Sequence, residues 1–259
     1  MAAAAVTLSG VSAYAYRSRD LEVSHERLVI PKMNRNLRIV SVSDVHAPCF
    51  YSSYLELYRI LNELQADIFI LAGDTIDKRG NEGLVEVFGT VKARIAKLAT
   101  LGNWEYLGKL DLVRMKTEYE NAGISLLVND IFEVQGLILV GLDDFVLGSP
   151  DYKILNHCSS PKCPVLVISH CPESFDSLTS FSNSPVIVLS GHTHGGQIAP
   201  FGLVLSTPPG SGPYVKGWYH KGKHSMYVMR GIGTTPGIPI RIGARPEILV
   251  LDLVGNASS

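Results

Sequence analysis

Cysteine is scarce in this sequence. Only Cys49, Cys158, Cys163 and Cys171 occur in 259 residues. No two form a C-x-x-C pair, so a zinc knuckle has no sequence support. Four thiols in a chain this long do not make a disulfide scaffold. Charge is sparse as well. Charged residues make up 18% and the formal net charge is −1, which leaves no basic footprint of the kind a dedicated nucleic-acid binder carries. No nucleic-acid partner is expected. Internal repeats and low-complexity tracts are lacking, and no apolar run reaches the roughly 20 residues that span a bilayer. What is plentiful is apolar character. Hydrophobic residues make up 46%, enough for a buried core in one large domain or two small ones.

The first sixteen residues, MAAAAVTLSGVSAYAY, are small, apolar and uncharged, and Arg17 follows. The stretch is too short to span a bilayer and lacks the basic start of a secretory signal. Two readings stand. One is the tail of a signal or membrane anchor, the other an ordinary N-terminal helix or frayed end. The first places the protein at a membrane or in the cell envelope; the second leaves a cytoplasmic location open. Residues 1–30 are accordingly read as an apolar segment and linker, and residues 31–259 as one domain with no internal boundary.

From Leu37 onward, short apolar runs end in polar residues. Residues 37–43, 67–72, 137–142, 164–169, 185–190, 225–230 and 247–253 are rich in Val, Ile and Leu and bounded by Gly, Pro or Asp, which predicts strands. Tyr54, Leu57, Leu61 and Leu64 recur at helical spacing behind a cap at Ser52 or Ser53. Leu84, Val87, Val91, Ile95 and Leu98 form a second helical stripe, and residues 109–122 a weaker third. Alternating strand and helix predicts an α/β fold with mainly parallel strands, and the strand-rich second half a second sheet packed on the first.

Chemistry-bearing residues gather just after these strands. The sequence reads Ser43-Asp44-Val45-His46, Gly73-Asp74-Thr75, Gly102-Asn103-Trp104-Glu105, Ser169-His170 and Gly191-His192-Thr193-His194. Ligands of open α/β sheets bind at the carboxyl ends of strands, so the five segments point to one pocket. Asp and His suit borderline or hard cations such as zinc, iron and manganese. On extended backbone Asp44 and His46 would face one side, as would His192 and His194. Glycines before Asp74, Asn103 and His192 allow a sharp turn and close approach to an ion. Singly, each residue has an ordinary explanation: an Asp after a strand is usually a cap or turn, and Gly-Asn a plain turn. Seven such residues are too many for one zinc and enough for two metals sharing a carboxylate. His25, His157, His220 and His224 lack this context and are read as surface residues.

Taken in order, these blocks resemble the calcineurin-like metallophosphoesterases, whose pattern is D-x-H, G-D, G-N-H-[D/E], a histidine, then G-H-x-H. All five blocks are present over about 150 residues. Gly141-Leu142-Asp143-Asp144, Gly195-Gly196-Gln197, Thr207-Pro208-Pro209 and the run from Arg230 to Thr235 resemble a single-domain branch that often carries an N-terminal signal or anchor. The resemblance implies a four-layer αββα sandwich and two divalent ions, manganese, zinc or iron. Asp44, His46 and His194 would hold the first ion, Asn103, His170 and His192 the second, with Asp74 bridging. In the general two-metal scheme the ions lie roughly 3.5–4 Å apart and a hydroxide held between them attacks phosphorus. Asp74, Asn103 and His170 would act in catalysis through the metals.

One block departs from the pattern. Trp104 stands where the family usually has a histidine that assists the leaving group, and indole is only a hydrogen-bond donor. A phosphate leaving group needs less protonation, with a second pKa of about 6. The departure favours pyrophosphates or activated esters, and the nucleotide-linked lipid UDP-2,3-diacylglucosamine of lipid A synthesis is one such substrate for an enzyme at a membrane surface. The other reading of Trp104 is plain packing. Alternatives are a general phosphodiesterase or phosphatase of the cell envelope, and a non-catalytic scaffold that keeps its metals. Arg230 is read as a possible phosphate grip, Glu105 as support for a ligand histidine, Asp143 and Asp144 as pocket lining or a turn cap, and Tyr214, Trp218 and Tyr219 as a flap.

Overall fold

The computed structural model describes residues 20–256 apart from 32, 34, 48–53, 77–82, 110, 159–163 and 183. The apolar segment 1–16, the proposed caps Ser52 and Ser53, Cys49 and Cys163 lie outside the described residues. Twelve strands form two six-stranded sheets. The first sheet contains β1 (Glu22–Pro31), β2 (Leu37–Val42), β3 (Ala66–Ala72), β4 (Ala93–Thr100), β5 (Ser125–Leu126) and β12 (Glu247–Asn256), in the order β1-β12-β2-β3-β4-β5. The second contains β6 (Asp130–Val134), β7 (Leu137–Gly141), β8 (Val165–Ile168), β9 (Val186–Ser190), β10 (Gly217–Lys221) and β11 (His224–Val228), in the order β10-β11-β9-β8-β7-β6. Strands β2 to β5 run parallel, as do β7, β8, β9 and β11.

Parallel strands buried on both faces need apolar side chains on both. β3, ADIFILA, is buried at every position, with Ile68 and Ile70 on one face and Phe69 and Leu71 on the other. Three separate apolar layers result. Between the sheets lie Ile39, Ile68, Ile70, Leu139, Leu166 and Leu249. Outside the first sheet pack α1 (Tyr54–Glu63), α2 (Leu84–Gly89) and α4 (Leu112–Asn121), through Leu57, Leu61, Phe88, Met115 and Tyr119. Outside the second packs α5 (Ser174–Phe181), through Phe175 and Leu178. This is the expected four-layer αββα arrangement. Between β4 and α4 lies the one-turn helix α3 (Asn103–Leu107).

Three expectations change. The stripe from Leu84 to Leu98 is not one helix. α2 ends at Gly89, and Ile95 and Leu98 belong to β4, which pairs in parallel with β3. A Cβ on Gly89 would lie 2.8 Å from that of Ala122, so the chain there fits against the end of α4 only as glycine. Spacings of three and four residues cannot separate a helix from a helix–turn–strand, and pairing with β3 decides it. The third helix starts at Leu112, not Lys109, because the Asp111 side chain accepts from the backbone N–H groups of Val113 and Arg114 and caps it there. Finally, residues 22–30 are not linker. β1 pairs with β12 along its whole length, from Glu22 opposite Glu247 to Pro31 opposite Asn256. Its Glu, Ser, His and Arg residues suit an exposed edge and conceal it from an apolar pattern. Because β12 runs antiparallel to β2, β1 and β12 both begin at the end of the sheet where β2, β3 and β4 finish.

Candidate metal centre

β2, β3, β8 and β9 stop at Val42, Ala72, Ile168 and Ser190, and the chain beyond each stays in ladder-like contact with its neighbour. Asp44 N–H donates to Gly73 O at 3.1 Å, His46 N–H to Asp74 O at 3.0 Å, and Gly191 N–H to His170 O at 2.9 Å. Yet these loops are not extended. Asp44 (φ 52°), His46 (φ 49°), Asp74 (φ 51°), His192 (φ 72°) and His194 (φ 52°) all occupy the left-handed region. The alternation expected for Asp44 with His46, and for His192 with His194, is therefore not what aligns them; left-handed turns at each residue do. Each such non-glycine turn costs on the order of 1–3 kcal/mol, and surrounding contacts must hold it.

Six of the seven predicted ligands fall into two buried groups, Asp44 with His46 and His194, and Asp74 with His170 and His192. The Nε2 atoms of His46 and His194 face each other at 3.0 Å over stacked rings. Asp74 Oδ2 lies 3.6 Å from His46 Nε2 in the first group and 3.1 Å from His170 Nε2 in its own. Asp44 Oδ1 stands farther from the same two atoms, at 4.0 and 3.8 Å, and comes to 3.6 Å only of His194 in its own group, so Asp74 is the better bridge. The outer ring atoms are anchored. His170 Nδ1 donates to Ala72 O at 2.9 Å and His192 Nε2 to Pro209 O at 2.8 Å, which leaves His170 Nε2 and His192 Nδ1 as inward lone pairs. The seventh residue, Asn103, follows a glycine wedged between Asp74 and His170. Its Oδ1 is buried with no hydrogen-bond partner, as is His170 Nε2. Buried polar atoms without partners are rare. Two orphaned acceptors, two opposed imidazole nitrogens and two carboxylates form a donor set that fits a pair of divalent cations.

Charge in the centre tells the same story. Burial would raise the Asp44 and Asp74 carboxyls, but the histidines around them hold both below the ordinary carboxylate range. Burial keeps the His46 and His192 rings below their ordinary value and pushes His194 down to about 3, so these rings stay neutral and ready to ligate. His170 is the exception. Burial opposes its charge, yet Asp74 and then Asp44 raise it well above the ordinary value. Its Nε2 is a donor to a metal only where a cation takes the place of the proton that these carboxylates favour.

Glu105 supports the loops rather than a histidine. It is fully buried and accepts from the backbone N–H groups of Gly102 (2.8 Å), Thr75 (2.9 Å), Asp74 (3.1 Å) and Ile76 (3.4 Å). Burial and the nearby Asp74 carboxylate push its carboxyl up to about 8, while the donors pull the other way. Asp74 is fixed further by Trp104 N–H, 2.8 Å from its Oδ1. A Cβ on Gly102 would strike Asp74 Oδ1 and come within 2.8 Å of the His170 ring. Gly102→Ala is therefore expected to lower metal-dependent turnover by at least about tenfold, with melting temperature and kinetics measured together; unchanged kinetics would show that the ligands tolerate the shift.

One participant had no sequence signal. Arg241 is buried, and its guanidinium donates to Gly233 O (2.7 Å), His194 O (3.2 Å) and Ala244 O (3.2 Å), with His194 Nδ1 also at 3.2 Å. Burial holds it down to about 10. It lies 47 positions beyond His194 in a Gly/Pro-rich loop, so only the fold reveals the contact.

Other expected participants stand apart. The Arg230 guanidinium is committed to Glu22 (3.2 Å), Ser24 (3.2 Å) and Glu247 (3.1 Å) and is no free phosphate grip. Asp144 caps a turn through Val146 and Leu147, and Asp143 receives the Tyr106 hydroxyl and Ser149 N–H. Tyr214, Trp218 and Tyr219 form no flap. Tyr214 is buried, Trp218 donates to Glu26, and Tyr219 packs edge-on against Tyr214 within the layer outside the second sheet. His224 is buried, not on the surface. The Trp104 ring stands edge-on to His46, centroids 5.5 Å apart.

Comparison with known proteins bears on this centre. The model of the calcineurin-like phosphoesterase family matches residues 37–196, more than half of the chain. An uncharacterised metallophosphoesterase of Bacillus subtilis, YkuE, is 30% identical over 98% of this chain and 93% of its own length. A Danio rerio transmembrane protein with a metallophosphoesterase domain is 30% identical over 88% of this chain, which spans 55% of that protein. An uncharacterised Campylobacter jejuni metallophosphoesterase is 30% identical over 91% of this chain and 64% of its own length. The chain belongs to the calcineurin-like metallophosphoesterases, and is a metal-dependent phosphoester hydrolase.

Proposed function

We propose that the protein cleaves pyrophosphates or activated phosphoesters, whose leaving groups depart without a proton from the enzyme. Asp44, His46 and His194 would hold one divalent ion, and Asn103, His170 and His192 the other, with Asp74 shared. Such a pair would supply water activation and neutralisation of charge on the phosphoryl oxygens. The protein's own part is to hold seven donors in place before substrate arrives, through Glu105, Arg241 and the anchored rings of His170 and His192. The carrying observation is Trp104. An indole stands edge-on to His46, at the position that resembles the family's usual histidine, and it has no acid–base chemistry to offer an alkoxide. The intact donor set speaks against a scaffold without activity.

General-acid help is worth roughly 10²–10⁴-fold. Trp104→His is therefore expected to raise turnover of an alkyl phosphodiester by about tenfold or more, and to leave a UDP-linked pyrophosphate and bis-p-nitrophenyl phosphate much less affected. UDP-2,3-diacylglucosamine belongs in the same panel as a lipid-linked pyrophosphate, beside p-nitrophenyl phosphate, with manganese added. Wild-type protein turning over alkyl diesters as fast as pyrophosphates would overturn the leaving-group reading.

A place at a membrane surface or in the cell envelope is part of this proposal. The first sixteen residues are apolar, and the Danio rerio and Bos taurus relatives are named as transmembrane proteins. Among the described residues no helix is long and apolar enough to cross a membrane.

A further inference from the structure

Exposed apolar side chains are distributed unevenly. Of thirteen large ones among the described residues, only Val29 and Phe181 lie at the far end of the sheets from the metal centre. The others sit on loops, on helix starts or, for Leu107, in the one-turn helix α3, all of which follow the carboxyl ends of strands. The densest set is carried by two loops, with Phe201 83%, Leu203 70%, Leu205 70%, Ile238 46% and Ile240 40% exposed. Isolated apolar residues on a surface are normal, whereas a contiguous set marks a contact surface.

These loops are braced. The Gln197 amide donates to Ile238 O at 2.9 Å and accepts from Thr235 N–H at 2.8 Å. Ala199 N–H donates to Ile242 O at 2.7 Å, and Ile242 N–H to Gln197 O at 2.8 Å. The pair adjoins the metal centre, since Gln197 is three residues past His194, and Arg241, between Ile240 and Ile242, holds His194. The opposite end is polar, a cleft of about 370 Å³ lined by Arg27, by Arg38 paired with Asp252, and by Arg94 paired with Asp67. β1 also starts at the metal-centre end, with Glu22 on Arg230. The exposed apolar loops thus meet the solvent at the end that holds the chemistry.

We propose that a lipid surface docks on this end, with Phe201, Leu203 and Leu205 entering the acyl boundary beside Ile238 and Ile240, so that the phosphoester reaching the metals is carried by a lipid. The second half of this statement rests on the phosphoesterase reading; the docking itself does not. Partition into the interface scales with buried apolar area.

The test uses the full chain, sedimented with phosphatidylcholine vesicles, with and without phosphatidylglycerol. Wild type is expected to partition onto both, and Phe201→Asp/Leu203→Asp to partition at least tenfold less, with its melting temperature and its turnover of soluble bis-p-nitrophenyl phosphate unchanged. The same double variant is expected to raise the KM for a lipid-linked pyrophosphate carried in vesicles by at least tenfold. Leu205→Lys, at a third exposed position, serves if the pair lowers the melting temperature. Wild type left in the supernatant overturns the proposal. So does a variant that sediments like wild type, which would assign binding to residues 1–16 alone. Binding only to vesicles with phosphatidylglycerol also overturns it, since charge would then be the cause. Absence of soluble diester turnover in wild type would instead sink the phosphoesterase reading and leave the vesicle result standing.

Discussion

Asp74→Asn is expected to cost roughly 10²–10³-fold in manganese-dependent turnover of bis-p-nitrophenyl phosphate, the scale of removing one strong electrostatic stabiliser from an active site. Asp74 Oδ2 is nearer than Asp44 Oδ1 to both His46 (3.6 against 4.0 Å) and His170 (3.1 against 3.8 Å). A shared carboxylate contributes its charge to both ions at once. Asparagine matches its size and retains an acceptor for Trp104 N–H, so the fold should survive while the bridge is lost. Metal content measured on the same sample should fall from two ions per chain to one or none. Full turnover with two ions still bound would remove Asp74 from the bridging role.

Glu105→Ala should have the largest effect on stability. One buried carboxylate accepts from four backbone N–H groups, three in the Asp74 loop and one at Gly102. Alanine leaves them buried without partners, and water reaching such a cavity would recover only part of the loss. Each buried donor left unsatisfied costs roughly 1–3 kcal/mol, and several together about 3–5 kcal/mol. At roughly 2–4 °C per kcal/mol for a domain of this size, the melting temperature should drop by about 10 °C. Metal affinity should fall as well, by roughly 10–100-fold, as when a supporting group behind a ligand is lost. Thermal scans with and without manganese separate the two effects. A change below about 1 kcal/mol would mean that the loops hold their left-handed turns unaided.

The sequence reading and the structure part company at identifiable places. Buried parallel strands such as ADIFILA and the run VLVI of β8 announce themselves because both faces must be apolar. The ligands were legible because Asp, Asn and His recur directly behind those strands, some next to glycines. β1 was not legible, since an edge strand tolerates charge. β4 was not, since Leu84 to Leu98 fits a helix until pairing with β3 breaks it. Arg230 looked like an anion grip because nothing local shows that Glu22 and Glu247 claim it. Arg241 looked like an ordinary loop cation for the same reason.

By itself the sequence determined the residue types of the centre, their order along the chain, and the two-sheet α/β class. Those follow from local rules: which side chains ligate a cation, and which patterns can be buried. The tertiary structure decided how the donors converge. Five candidate ligands reach the centre through left-handed turns, which nothing in the pattern D-x-H or G-H-x-H specifies. Such turns persist only because contacts from distant segments, Glu105 on Asp74, Gly233 on Asp44 and Arg241 on His194, offset their cost. Local rules cannot report such contacts, because each partner lies about 30 to 190 residues away along the chain and comes close only in the folded sheets.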